Sequence, residues 1–476
     1  MKQDLVPTVG LETHVQLNTQ SKIWCACSTE FACPPNTNVC PVCLGYPGSL
    51  PVLNEEAIRK TIISGLLLGC EINLRSKHDR KSYFYPDMPK NYQITQFDQP
   101  ICLGGGVDIE VDGVKKHIRL NRIHLEEDVG KNTHYESGSG VDYNRAGTPL
   151  MEIVTEPDIS SAEEAFAYLV ALKQILSYGD VSGCNLEQGN MRCDVNTSVA
   201  PRGSDTLGVK TEIKNMNTFK GVRDALAYEA KRQIREVNDG GAIRQETRRW
   251  DDVVGKTASM RAKEYAHDYR YFPDPDLMPI VLTTDQVEAI RAGLPELPAA
   301  RRVRYVSELG LPEYDASVLV TDMAVANFFE ATAALSGDAK TSSNFIMGEL
   351  MRLLNEREIA LGDTKLTPEN LAALIKLSKA KQVNNQGAKA IFEKLFDAGG
   401  DPLAIAKTDD LLVENEDVIA PLLDQVIQEH AGPVADYRSG KEAALQFLVG
   451  QVMRLSRGKA NPQAVSEELA RKLSQE

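Results

Sequence analysis

The chain has 476 residues, with 53 Lys plus Arg against 67 Asp plus Glu, a formal net charge of −14, and 42% hydrophobic and 25% charged residues. At roughly 150 residues per domain this suggests about three domains, and the composition excludes a disordered or fibrous chain. The acidity excludes a protein that coats nucleic acid by uniform positive charge, although local recognition of an RNA stays open.

No segment approaches the roughly 20 apolar residues that cross a bilayer. The first residues, MKQDLVPTVG, carry an acid and a proline where a signal peptide has its apolar stretch, so the chain is expected to be cytoplasmic. Nine cysteines, most of them single, favour reduced thiols or a metal site over a disulfide framework.

Taken in order, the first element is a half-buried strand. Val9, Leu11, Val15 and Leu17 share one parity, while Glu12, His14 and Gln16 share the other, so a carboxylate and an imidazole project together from the polar face. Next, Cys25 and Cys27 are followed by Cys40 and Cys43, two close pairs with the spacing of tetrahedral zinc ligands. Four thiolates leave no open position, so this metal is expected to hold a loop; Cys33 is surplus. Arg80 and Lys81 adjoin Tyr83, Phe84 and Tyr85, and Arg270 sits among Tyr269, Tyr271 and Phe272. Both are textures that hold a phosphate and stack a base, or simply a strand core.

Val107, Ile109 and Val111 alternate up to the hairpin signal Asp112-Gly113, and the return strand carries Ile118 and Leu120. It runs into Glu126-Glu127-Asp128. In a regular strand Glu126 and Glu127 face opposite ways and share one site only at a bulge or a strand end. Glu152 stands alone among Met151, Ile153 and Val154, which demands a partner or a cavity, and Glu187 and Asp194 flank a further strand-like stretch. Carboxylates and a His displayed on strands suit Mg²⁺ arriving with phosphate oxygens. Lys210 to Arg304 holds 18 basic and 15 acidic residues, +3 against −17 for the rest, and its Lys210 to Asn215 and Arg244 to Arg249 parts are the best candidates for polyphosphate or RNA contact.

Near residue 294 the texture changes. Pro295 and Pro298 read as a linker; Ser317 to Leu335 has helical spacing, and Thr367-Pro368 is a helix cap. Gly399-Gly400-Asp401-Pro402 marks a second break. No Walker A loop and no Gly-x-Ser-x-Gly elbow occur; Gly104 to Gly106 lack the following Lys-Ser/Thr and read as a turn.

These segments together resemble the GatB family, the B subunits of the tRNA-dependent amidotransferases. The likeness runs from Val9 to His14 through Arg80 to Asp87, Gln93 to Pro100, His124 to Asp128, Asn144 to Leu150, Arg192 to Asp194, Asp268 to Pro273 and Gly458 to Pro462, and so spans essentially the whole chain. It implies an α+β fold, an antiparallel-sheet cradle similar to glutamine synthetase followed by two all-helical domains. The expected boundaries are residues 1–293 for the catalytic cradle with the zinc loop, 294–400 for a helical connector, and 401–476 for a tail similar to the YqeY family.

It implies ATP-dependent amidation of a Glu or Asp misacylated onto tRNA(Gln) or tRNA(Asn), through phosphorylation of its side-chain carboxylate. ATP, Mg²⁺ and a structural Zn²⁺ are the cofactors. By position Glu12, His14, Glu127 and Glu152 match the family's metal set, Lys81 faces phosphate, and Glu126, Glu187, Asp194 and Arg270 are nearby binding candidates. Ammonia would come from an amidase (glutaminase) partner, GatA, with the small protein GatC completing a heterotrimer. Some members lack the cysteine pairs, and this chain leaves no room for the inserted domain of the archaeal relative GatE. Two other readings stay open: a free-standing carboxylate-ammonia ligase, and a zinc-stapled RNA-binding adaptor without catalysis.

Overall fold

The computed structural model describes residues 4–186, 188–262, 266–413, 416–456, 460 and 462–475. It divides into two compact units, Met1–Leu297 and Pro298–Glu476. Among the described residues no helix is long and apolar enough to cross a membrane.

The strands of the first unit begin with β1 (Leu5–Gln16), β2 (Glu71–Ile72), β3 (Arg75–Ser76), β4 (Asp79–Ser82), β5 (Tyr92–Thr95) and β6 (Cys102–Leu103). The next are β7 (Gly106–Val111), β8 (Val114–Glu127), β9 (Lys131–Tyr135), β10 (Gly138–Asp142) and β11 (Pro149–Thr155). The last are β12 (Met191–Pro201), β13 (Thr211–Lys214), β14 (Glu246–Asp251), β15 (Lys256–Ala262), β16 (Phe272–Pro273) and β17 (Ile280–Val281). Ten of them form one sheet in the order β15-β14-β13-β12-β1-β11-β8-β6-β2, with β7 paired to β8.

The amphipathic β1 lies between β11 and β12, hydrogen-bonded on both edges. Its apolar parity, Val9, Leu11 and Val15, is wholly buried against Ile123, Leu125, Ile153 and the helices beneath the sheet. Those helices are α1 (Glu55–Leu67), α2 (Ala162–Tyr178) and α3 (Phe219–Asn238). Each starts on a side-chain cap, Asn54, Ser161 and Thr218 respectively, that accepts an otherwise orphaned backbone N–H. The β7–β8 hairpin closes as expected: Asp112 and Gly113 both have positive φ, +52° and +78°, as a tight two-residue turn requires.

The expected antiparallel cradle needs correction at one edge. The other strand pairs of the large sheet are antiparallel, but β13 and β14 run parallel. The reason is connectivity: α3 forms the crossover between them, and such a connection returns the chain in the same direction. The sheet is therefore mixed. Two- and three-stranded pieces complete the unit, including β5-β4-β16 and the β9–β10 hairpin. Helix α4 (Thr284–Ala292) packs on α1.

The second unit is helical and holds two separate apolar cores, one around Phe329, Leu350, Leu374 and Phe392, the other around Leu423, Val426, Leu448 and Leu469. The helical run expected from Ser317 to Leu335 is two helices: α5 (Pro298–Ser307) is followed by α6 (Glu313–Leu319), and α7 (Met323–Ser336) starts afresh where the Asp322 carboxylate caps the Val325 N–H. Thr367 and Pro368 open the helix Pro368–Lys379 in a capping box closed by Asn370. The helix Pro402–Thr408, assigned from sequence to the tail, buries Ala406 in the first of these two cores, because the chain beyond Thr408 turns back to bridge Leu412 to Val383.

Leu11 is fully buried at the centre of the sheet. Leu11→Ala is expected to cost about 2–5 kcal/mol through lost burial and a residual cavity, read as a lowered denaturation midpoint.

Candidate active site and cysteine metal centre

Because β-strand side chains alternate, packing Val9, Leu11 and Val15 downward turns Glu12, His14 and Gln16 to the open face. Antiparallel register then sets like residues side by side: His14 pairs with Glu152 of β11 and Arg192 of β12, Glu152 pairs with His124 of β8, and Glu12 pairs with Asp194. Adjacent strands thus carry one row of charged side chains.

His14, Glu126 and Glu152 converge so that one ligand atom from each lies within 4.8 Å of the others. His14 Nε2 is 3.3 Å from Glu152 Oε2 and 3.9 Å from Glu126 Oε1. His124 Nε2 stands 3.6 Å from a carboxylate oxygen of each glutamate, and its Nδ1 is buried without a hydrogen-bond partner among the described residues. Burial opposes charge on His14, but the Glu152 hydrogen bond and the charges of Glu152, Glu126 and Asp194 outweigh it and hold the imidazole up at about 9. Burial likewise raises the glutamates, yet the histidines and Lys81 leave both below the usual carboxylate range. Two carboxylates and an imidazole, Glu126 buried and His14 and Glu152 half-buried, offer a donor set that fits Mg²⁺ or Mn²⁺ in place of the His14 proton.

Other expected site residues are placed differently. Glu12 accepts from Asn196 Nδ2 at 2.9 Å, on the same face but outside this three-residue cluster. Asp194 accepts from Lys214 Nζ at 2.7 Å. Glu127 points to the other side of β8. Its Oε2 accepts from Lys90 Nζ at 2.6 Å and its Oε1 from the Ile94 N–H at 2.8 Å. Burial pushes the Glu127 carboxyl up, with Lys90 offsetting part of the rise. Glu187 lies outside the described residues. His124, Lys90 and Thr95, whose hydroxyl donates to Glu126 Oε2 at 3.0 Å, were not anticipated. His124 shares the strand parity of Glu126, a usable signal; Lys90 and Thr95 come from distant loop and strand positions and carry none.

Beside this face lies a cavity of about 700 Å³ lined by Lys81, Lys214 and Arg270 together with Tyr83, Tyr85 and Tyr269. The Lys81 ammonium sits 4.9 Å from the Tyr269 ring centroid. Arg270 adopts φ +47°, a left-handed conformation that is strained for a residue with a Cβ and re-aims the chain between two tyrosines. Cations and aromatic faces in one cavity suit a nucleotide.

Cys25, Cys27, Cys40 and Cys43 offer four sulfurs within 4.8 Å of one another. The Cys25 hydrogen bond, the Cys40 backbone and the Lys22 ammonium outweigh burial and hold Cys43 down at about 4, whereas the hydrogen bond to Cys43 together with burial holds the Cys25 thiol well up and burial pushes Cys27 up to about 11, so the pair shares one thiolate carried by Cys43. Lys22 is fully buried, donating to the carbonyls of Asn38 at 2.8 Å and Tyr143 at 3.2 Å. This four-cysteine arrangement is compatible with structural zinc; Cys33 stands outside it.

Lys90→Met is expected to destabilise the fold by about 3–5 kcal/mol, since it leaves the buried Glu127 carboxylate unpaired. Adding Glu127→Gln should recover part of the loss in a denaturant titration. Chelation of the purified protein should release about one zinc per chain, bound by a Cys₄ set, and lower the melting temperature; Cys43→Ser should abolish that response.

Residues 7–288 match the model of the GatB/GatE catalytic domain, and residues 327–473 match that of the GatB domain. The chain is 50% identical over 471 residues, 98% of both chains, to the B subunit of the aspartyl/glutamyl-tRNA(Asn/Gln) amidotransferase of Caldicellulosiruptor saccharolyticus. It is also 50% identical over 476 residues, the whole of both chains, to the protein of that name in Thermoanaerobacter pseudethanolicus. The protein of that name in Geotalea daltonii is likewise 50% identical, over 471 residues and 98% of both chains. Since the catalytic-domain match encloses both the charged sheet face and the four cysteines, and the likeness to the named relatives is end to end, the chain belongs to the GatB/GatE family.

Proposed function

We propose that this chain is the transamidating component of a tRNA-dependent amidotransferase, converting Glu on tRNA(Gln), Asp on tRNA(Asn), or both, to the amide at the expense of ATP. The observation that carries this reading is the His14–Glu126–Glu152 cluster on an open sheet face beside a cavity lined by cations and aromatic rings. On this reading the sheet cradle does the work expected from the family resemblance to glutamine synthetase, turning a carboxylate into an amide.

A carboxylate is a poor acyl donor. In the proposed reaction a side-chain oxygen of the esterified amino acid attacks the γ-phosphorus of ATP, and ADP leaves with the bridging oxygen. Ammonia then adds to the activated carbonyl carbon, phosphate leaves, and a proton is lost to give the amide. A divalent cation held by His14, Glu126 and Glu152 would supply neutralisation of charge on phosphate oxygens. Lys81 and Lys214 line the cavity and would add positive charge against those oxygens, where preorganised charge stabilises the transferring phosphoryl group. Tyr83 and Tyr269 offer ring faces to the base.

The chain carries no recognisable amidase nucleophile set, so ammonia comes from a glutaminase partner, GatA, with the small protein GatC completing the assembly. The helices around Phe392 and those around Leu448 hold the tRNA body, the latter as a YqeY-like tail. The cysteine-bound zinc keeps its loop in place and takes no part in the chemistry.

In the assembled complex, Glu152→Gln is expected to lower ATP-dependent amidation of misacylated tRNA by at least about a hundredfold, while glutamine hydrolysis continues. Amidation at the unaltered rate would refute the site. ATP turnover by the isolated chain with free glutamate would instead favour a free-standing ligase.

A further inference from the structure

Arg122 belongs to the same strand face as His124 and Glu126. Register slips between Val154 and Thr155 of β11, so that Val154 faces Arg122 while Thr155 faces Leu120, and Asn121 is passed over. The slip lets β8 send Ile118 and Leu120 into the core before it and Ile123 and Leu125 after it, with Arg122 on the polar side.

The electrostatic position of Arg122 is unusual for this face. Lys214 is ion-paired with Asp194 and Glu212, and Arg192 with Asp128. Among the described residues the Arg122 guanidinium has no carboxylate in ion-pair range. Its side chain makes one hydrogen bond there, from Nη1 to the neutral Asn121 Oδ1 at 3.1 Å. Its Nε is buried without a partner. A half-buried guanidinium without an anion is costly, and it presents a planar fork suited to a carboxylate.

Its surroundings identify which anion. Arg122 lies two residues along β8 from His124 and faces Val154, itself two residues along β11 from Glu152, so Arg122 borders the metal-ligand cluster. Lys214 and Arg122 lie on β13 and β8, four strands apart in the order β13-β12-β1-β11-β8, which is roughly 19 Å. The cation-lined cavity is bounded on the Lys214 side and does not include Arg122.

We propose that Arg122 binds the side-chain carboxylate of the acidic substrate and presents its oxygen to the His14–Glu126–Glu152 cluster, leaving the nucleotide to the Lys81 and Lys214 side. The assignment rests on the phosphoryl-transfer reading above.

The test uses the assembled complex with Arg122→Gln and Arg122→Lys. Two quantities are measured: kcat/KM for misacylated tRNA with ATP and ammonium as nitrogen donor, and the dissociation constant of ATP. Arg122→Gln should lower kcat/KM about ten- to hundredfold, the loss expected for a charge-assisted hydrogen-bond pair, with ATP affinity unchanged; Arg122→Lys should recover part of it. Equal weakening of ATP binding would assign Arg122 to phosphate and overturn the proposal, as would an unaltered kcat/KM. Glu152→Gln run in parallel separates the two levels: full activity there sinks the phosphoryl-transfer reading and this proposal with it. Loss in Glu152→Gln beside an unaffected Arg122→Gln sinks the Arg122 assignment alone.

Discussion

Carboxylates gathered in and around one sheet must each find a cation or a hydrogen-bond donor, and this requirement organises the first unit. Glu126 and Glu152 share the imidazoles of His14 and His124. Asp194 and Glu212 share Lys214, Asp128 is held by Arg192 and Arg145, and Glu127 is held by Lys90. The partners come from β1, β8, β11, β12 and β13 and from the loops before β5 and β11, so the charge balance exists only when all of these elements are in place. Low local dielectric makes each pairing strong and each missing partner costly.

The same matching separates two jobs that adjacent residues could have shared. Glu126 faces the open side with its oxygens near two histidines, whereas Glu127 turns inward to Lys90 and the Ile94 N–H. The Gln93 amide donates to the Glu127 carbonyl at 2.7 Å, and Thr95 donates to Glu126, so β5 braces the end of β8 on both faces. Lys90 in turn lies under the cysteine loop. A Cβ on Gly45, two residues after Cys43, would come within 2.6 Å of Lys90 Cγ, so only glycine lets the loop rest on that side chain. The four cysteines therefore sit in a loop that packs on the brace of the charged face, so a metal bound there would steady that brace.

How far the sequence could be read follows from how local each signal was. The alternation of Val9 to Leu17 placed Glu12 and His14 on one face, and the two cysteine pairs predicted a cluster that the tertiary structure brings together. The Asp112-Gly113 turn and the Thr367-Pro368 cap were legible because each is decided within a few residues. The resemblance to the family supplied the metal set by position, and there the geometry gathers Glu126 with His14 and Glu152, while Glu127 serves Lys90. Strand parity alone says that Glu126 and Glu127 diverge; it does not say which of them faces β1.

What the sequence determined by itself is what period and spacing encode: an amphipathic strand, paired thiols, helix caps, a chain of sheet followed by helices. What only the tertiary structure decided is which residues meet. Register between β1, β8, β11 and β12 brings His14 together with Glu126 and Glu152 from far along the chain, and the α3 crossover makes one edge of the sheet parallel. Such contacts depend on how strands slide against one another, and that offset is set by the packing of the whole buried face rather than by any segment read alone.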